Sequence, residues 1–197
     1  IGFGILQWTE VMNIDESEDP IIIEVYAKQF AWQARYAGAD NTLGLGNVNF
    51  IDETNNPIGV DLSDPASLDD KPVTELHLPK GKKVLFKFRS QDVLHSAYMP
   101  HFRAQMNCVP GMVTQFAFTP KYTTEEMREQ SEVMDKTRGI NKIRSDKGED
   151  LYEFDYVLLC NKICGASHYS MQMKIVVEEE EDYKQWLAEQ PTFAEKL

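Results

Sequence analysis

The sequence predicts an all-β chain: a two-sheet sandwich with one short helix at its C-terminal end. Three observations predict it. Short runs rich in Val, Ile, Phe and Tyr alternate apolar and polar side chains, the pattern of half-buried strands. Gly, Pro, Asn and Asp cluster between those runs, where turn chemistry is needed. Strands this short and this numerous suit an antiparallel sandwich. At 197 residues the chain is long enough for one domain with a sizeable core. It divides into residues 1–19, the end of a membrane helix and a hinge; 20–180, the sandwich, with an insertion at 121–150; and 181–197, a helix and tail.

The first eight residues, Ile-Gly-Phe-Gly-Ile-Leu-Gln-Trp, are too few to span a bilayer, which takes about 20. They read as the remnant of a transmembrane helix, with Trp8 at the interface, or as an apolar arm. No Lys or Arg precedes Lys28, so nothing marks this flank as cytoplasmic. Asp15 to Pro20 is a polar hinge. Ile21 to Ala27 is β-branched and strand-like, and it runs into the aromatic stretch Gln29 to Tyr36. Gly38 to Pro72 reads as a long surface loop with short pieces of structure. Val73 to Pro79 alternates as a strand and leaves His77 out of phase with the apolar positions, hence exposed. Val84 to Ser90 is a strand that delivers Asp92 and His95 to its end, and Met112 to Phe118 is another. Tyr122 to Asp150 is charged and long; Thr123 with Glu126 resembles a capping box, and the second half is basic. This insertion is either a solvated excursion or a docking element. Leu151 to Leu159 and Met173 to Glu178 are strands. The acidic run Glu178 to Asp182 heads the last helix, where negative charge favours the N-terminus; Tyr183, Trp186 and Leu187 share the face that docks it.

Lys and Arg number 20 against 32 Asp and Glu, a net charge of −12 with a pI near 4.8. That argues against nucleic-acid binding. It suits a basic protein partner, although an acidic surface also serves solubility. Three cysteines do not make a disulfide scaffold. Cys108 reads as a buried small hydrophobe.

The other two cysteines lie in Leu-Cys-Asn-Lys-Ile-Cys-Gly-Ala-Ser-His-Tyr-Ser-Met, residues 159–171. Cys160 and Cys164 are four apart, His168 is four further on and Met171 three beyond that. Thiolate, imidazole and thioether form a soft donor set, which favours copper over calcium or magnesium. Two thiolates on one loop can bridge a pair of copper ions, with one histidine ending each side. His95 is the candidate for the second histidine. A structural zinc site is the competing reading, but zinc sites use Cys, His and carboxylates, not methionine. A redox disulfide usually has two residues between its cysteines. Met171 can also be read as a core gap-filler. Gly165 is the loop residue free to adopt positive φ.

Asp92-Val93-Leu94-His95-Ser96, then Val109-Pro110-Gly111, then the Cys-x3-Cys-x3-His-x2-Met loop resemble subunit II of the haem–copper cytochrome c oxidases, bacterial type. The resemblance runs from about Ile21 to Leu187. It implies a cupredoxin-like Greek-key sandwich and a binuclear copper A centre of two copper ions. Cys160 and Cys164 would bridge the coppers, His95 and His168 would terminate them, and Met171 and the carbonyl of Lys162 would be weak ligands. The family usually has glutamate where Lys162 stands, and that carboxylate helps hold magnesium at the junction with subunit I; the magnesium site is therefore expected to be altered or absent. Met112 replaces an arginine and Asn107 an aspartate, which touches subunit contacts or donor docking. His101 has no position in the family motif. In the family's Gln-Trp-x-Trp stretch a tryptophan receives the electron; Phe30 stands there and Trp32 is retained, so either would carry that role, unless both aromatics simply fill the core.

The implied function is that of a terminal cytochrome c oxidase subunit that takes single electrons from cytochrome c, or a cytochrome c domain, and passes them to haem in subunit I for oxygen reduction. The implied partners are subunit I, other oxidase subunits and the membrane, with no nucleic acid. The implied location is a bacterial inner membrane, copper domain on the periplasmic side. The rivals are the copper A domain of nitrous oxide reductase, which shares the loop motif, and a non-catalytic copper- or zinc-binding module.

Overall fold

The structure, a computed structural model, describes residues 2–12 and 19–196; most of the expected hinge, residues 15–18, lies outside them. Helix α1 (Gly2–Met12) is followed by β1 (Ile21–Lys28), β2 (Ala31–Tyr36), β3 (Lys71–Val73), β4 (Leu76–Pro79), β5 (Val84–Ser90), β6 (His95–Met99), β7 (Ala104–Cys108) and β8 (Thr114–Phe118). Helices α2 (Thr124–Arg128) and α3 (Ser131–Asp146) occupy the insertion, and β9 (Tyr156–Cys160), β10 (Gln172–Glu178), α4 (Glu180–Glu189) and α5 (Phe193–Lys196) complete the chain. Among the described residues no helix is long and apolar enough to cross a membrane.

The strands form two five-stranded sheets, β3-β2-β1-β5-β8 and β4-β10-β9-β6-β7. Ile23, Val25, Ala34, Phe86 and Phe88 of the first sheet and Leu76, Leu78, Leu158, Ile175 and Val177 of the second belong to one buried core. Inward residues at alternate positions of both sheets are what a sandwich requires. The fold is the expected two-sheet β-sandwich, with one correction: the sheets are mixed, not antiparallel throughout. β5 runs parallel to β1 and β4 parallel to β10. The chain leaves the first sheet for β4 and returns as β5, so it re-enters alongside β1 in the same direction.

Other elements also differ from the sequence reading. Residues 73–79 are two strands in different sheets, with the break at Thr74-Glu75. His95 does not end the strand Val84–Ser90; it opens β6 on the opposite sheet. Residues 151–155 do not extend β9, because the Asn141 side chain takes both backbone groups of Tyr152, accepting from its N–H at 2.7 Å and donating to its carbonyl at 2.9 Å. His77 is buried, not exposed: its ring stacks on Trp186 at 3.9 Å, and Nδ1 lies 2.8 Å from Glu178 Oε1. Alternation assigned it to the outer face correctly, but α4 covers that face through Tyr183 and Trp186, whose rings pack on Tyr36.

The capping box forms as expected, with Thr123 and Glu126 each satisfying the other's backbone N–H, and Thr124 Oγ1 accepts from Val177 N at 2.8 Å to hold α2 on β10. α3 has no buried residue.

The long 37–70 segment is not only a surface loop. It covers the outer face of the first sheet, with Ile58 and Val60 packed on Tyr26. Arg35 fastens it: Nε donates to Glu24 Oε2 at 2.8 Å, Nη1 to Asp70 Oδ2 at 2.5 Å and Nη2 to the Gly44 carbonyl at 2.7 Å. Glu24 faces Arg35 across the β1–β2 ladder and also accepts from Arg89. Arg35, Glu24 and Asp70 are all buried, so each charge depends on its partners. Removing Arg35 leaves two buried carboxylates without it; Arg35→Ala is expected to cost about 3–5 kcal/mol, read from denaturant unfolding. Burial pushes the Asp70 carboxyl up from 3.8 to about 7, against the pull of Arg35. The folded chain therefore holds a proton that the unfolded chain releases. That contribution is complete below pH 3.8 and lost as pH rises through about 7. The stability of the native chain relative to Asp70→Asn should accordingly fall across that window in parallel pH-dependent unfolding curves.

Candidate metal centre

Three loops meet at one end of the sandwich. β1 and β2 pair out to Lys28↔Ala31, leaving Gln29-Phe30 as the turn. The parallel β1–β5 pairing ends at Ala27↔Ser90, and Gln91 N donates to Ala27 O at 2.9 Å. The link from β5 to β6, which carries Asp92 to Leu94, therefore lies beside that turn. β6 and β9 pair at Ala97↔Cys160, which sets the cysteine loop next to His95.

His95 is completely buried. Its Nε2 lies 2.8 Å from Asp92 Oδ1. An ionised carboxylate only accepts, so Nε2 carries the proton and Nδ1 keeps its lone pair. Asp92 is held in turn by the N–H groups of Gln29 at 2.8 Å and Val93 at 2.7 Å. Burial pushes its carboxyl up, but the Gln29 N–H, His95 and the Val93 N–H outweigh burial and leave it below the usual carboxylate range.

His95 Nδ1 is 3.8 Å from Cys160 Sγ, and Cys160 Sγ is 3.9 Å from Cys164 Sγ. The second sulfur lies 3.7 Å from His168 Nδ1 and 3.9 Å from Met171 Sδ. The Lys162 carbonyl is 3.2 Å from Cys160 Sγ. Both cysteines are free thiols, and their separation far exceeds a disulfide's roughly 2.05 Å. The ligand atoms of His95, Cys160 and Cys164 lie within 4.8 Å of one another, and all three residues are buried. Burial, then the neighbouring Cys160, pushes the Cys164 thiol up to about 11. The Cys164 thiol therefore resists ionising unless a cation replaces its proton. The donors are soft and three of them are buried together, so the residues fit a thiophilic metal such as copper.

Gly165 takes φ +149, and a Cβ there would lie 2.7 Å from Phe30 Cε1; only glycine lets the turn close on the loop. Trp32 is buried, with Nε1 donating to the Met171 carbonyl at 3.4 Å and its ring edge-on to His95 at 6.2 Å. Phe30 is half-buried against the core. Cys108 is buried across the β6–β7 ladder from His95, and burial pushes its thiol up to about 12. His101 stands apart, edge-on to Phe154 and Tyr156. The structure thus brings together His95, Cys160, Lys162, Cys164, His168 and Met171. Sequence reasoning did not assign Asp92 its contact with His95, although a carboxylate three residues before a candidate ligand was a usable signal. It had none for Gln29, which reaches a residue 135 positions away.

A family model, "Cytochrome C oxidase subunit II, periplasmic domain", matches residues 21–137; this match includes His95 and stops short of Cys160. The "Alternative cytochrome c oxidase subunit 2" of Bradyrhizobium diazoefficiens is 37% identical over 97% of this chain and 58% of its own length. The "Cytochrome c oxidase subunit 2" of Thermostichus vulcanus is 26% identical over 57% of this chain and 25% of its own length. The chain therefore spans little more than half of the first of these relatives and a quarter of the second. Among solved structures, the periplasmic domain of subunit II of cytochrome oxidase (CoxB) of Bradyrhizobium japonicum matches with a TM-score of 0.49 at 17% identity, covering 85% of this chain and 91% of that one.

If Asp92 fixes the His95 ring, Asp92→Ala should lower metal affinity about 10–100-fold, the usual cost of losing a ligand's hydrogen-bond partner. Competition titration against a chelator measures this.

Proposed function

The chain belongs to the cytochrome c oxidase subunit II family, and from that premise we propose that it is the electron-accepting subunit of a terminal oxidase. It receives single electrons from cytochrome c, or a cytochrome c domain, and passes them to haem in subunit I, where oxygen is reduced. One observation carries this reading: two free cysteine sulfurs 3.9 Å apart, each with an imidazole Nδ1 beside it at 3.8 Å or 3.7 Å. That arrangement suits a pair of copper ions bridged by Cys160 and Cys164, ended by His95 and His168, with Met171 and the Lys162 carbonyl as weak donors. A bound copper pair would supply a one-electron centre whose charge is spread over two ions.

The chain's own residues do the rest. His95, Cys160, Cys164 and Met171 are buried, which shields these four donors from water, while His168 is half-buried at the rim. The loops that carry them are pinned to strand ends, so the donor positions need to change little when charge changes, and a preorganised site of this kind favours fast transfer. Trp32, in contact with the Met171 carbonyl and the His95 ring, is the better-placed aromatic for a route into the centre, while Phe30 lies in the turn nearer solvent. Leu94, next to His95, and Ile163 and Tyr169, on the cysteine loop itself, are exposed. Such an apolar apron supports docking of a partner there. The charge of −12 supports steering of a basic donor. Lys162 brings no side-chain oxygen, so we assign it no magnesium. The exposed apolar side chains Phe3, Ile5, Leu6 and Trp8 of α1 support membrane attachment, with the copper domain on the periplasmic face of a bacterial inner membrane.

The nitrous oxide reductase reading is not favoured, because the family matched is oxidase subunit II. The thioether of Met171 beside Cys164 weighs against zinc. Metal analysis with electron paramagnetic resonance tests the proposal. Two coppers per chain and a hyperfine pattern from one electron shared by both nuclei are expected. Cys160→Ser should abolish that pattern and Cys108→Ala should keep it. A single metal per chain, or zinc alone, would overturn the assignment.

A further inference from the structure

The β1–β2 turn touches both ligand loops through one residue. The Gln29 backbone N–H donates to Asp92 Oδ2 at 2.8 Å, and Asp92 holds His95. The Gln29 side-chain amide donates to the Cys164 carbonyl. Cys164 is the residue whose sulfur sits between Cys160, His168 and Met171. A Cβ on Gly165 would come within 2.8 Å of Gln29 Nε2 and 2.7 Å of Phe30 Cε1, so turn and loop are in close contact. The ligand loop has few other ties on this side. Its strand partner contacts lie at Cys160 and beyond Met171, where Cys160 N donates to the Met171 carbonyl at 3.1 Å. Asn161 N also donates to the Ser96 carbonyl at 2.9 Å; from Lys162 to Ser170, among the described residues, the Cys164 carbonyl is where the backbone takes a hydrogen bond from outside the loop.

We propose that Gln29 is a positioning residue that couples the two halves of the metal centre: its backbone sets the histidine side through Asp92, and its amide sets the cysteine side through the Cys164 carbonyl. This rests on the reading of Cys160 and Cys164 as metal ligands. Gln29 itself is solvent-exposed, so its replacement removes no core packing. Its contribution is orientation: it fixes the peptide that carries Cys164 and thereby the direction of the sulfur. Hydrogen-bond partners that orient ligands typically change metal affinity 10–100-fold when lost.

The test compares the native full chain with Gln29→Met, which keeps length and loses the donor, and with Gln29→Glu, which keeps shape and replaces the donor by a negative charge. In the metal-free chain, alkylation of Cys164 is followed by mass spectrometry; both variants should react several-fold faster, with unchanged far-ultraviolet circular dichroism. In the copper-loaded chain, release to a chelator should be about tenfold faster for Gln29→Met, and Gln29→Glu should in addition lower the reduction potential. A residue that merely filled space would leave Cys164 alkylation and copper release of the length-matched Gln29→Met at native rates. Native behaviour of both variants in thiol reactivity and copper release would overturn the proposal. Failure of the native chain to take up two coppers would overturn the copper reading instead, and the metal-free alkylation rates would still decide the role of Gln29.

Discussion

The hydrogen bond from His95 Nε2 to Asp92, 2.8 Å long, governs which face of the imidazole meets the sulfurs. An imidazole has two nitrogens of similar basicity, and its environment chooses between them. Here the carboxylate takes one, and the other is left 3.8 Å from Cys160 Sγ. The carboxylate can do so because it sits on the short link between β5 and β6, where the chain passes from one sheet to the other. The parallel pairing of β5 with β1 brings the β1–β2 turn alongside to hold Asp92. The donor set thus depends on a contact between residues that are not donors, and on a topology that places three loops at one pole.

The opposite demand, that of burying charge, is met on the outer face of the first sheet. Glu24, Arg35 and Asp70 have no solvent to turn to, and ion pairs in such places seldom add net stability over an apolar substitute. Their geometry does specify one arrangement. The guanidinium reaches a strand carboxylate, a loop carboxylate and a loop carbonyl at once, so the 37–70 crossing has a single seat on the sheet. That crossing covers β1 and β2, whose far ends form the turn against the metal loop.

The insertion contrasts with the site. α2 is capped and tied to β10 by Thr124, whereas α3 buries nothing and is joined to the following segment by the paired hydrogen bonds of Asn141 with Tyr152. Side-chain bonds of this kind replace ladder pairing locally, which is why β9 starts at Tyr156 and not at Leu151. The donor loop at the other end of β9 is unaffected, since its register is set by Ala97↔Cys160.

The cluster of candidate donors was legible in the sequence because chemistry and spacing are local properties. Cys160, Cys164, His168 and Met171 share one loop, and their softness is a matter of atom type. The capping box at Thr123, the acidic start of α4 and the fate of Cys108 were legible for the same reason. Strand direction was not, because apolar alternation says which face a residue takes and nothing about which neighbour it meets or which way that neighbour runs. His77 was assigned to the right face and the wrong environment, since α4 covers that face with Trp186, a residue remote in sequence. Asp92 and Gln29 acquire their positions only through the β1–β5 pairing and the turn beyond it. The sequence by itself determined the sandwich and the chemistry of the candidate donors it carries. Tertiary structure alone decided how those donors are aimed, because orientation depends on hydrogen bonds between segments that only folding brings together.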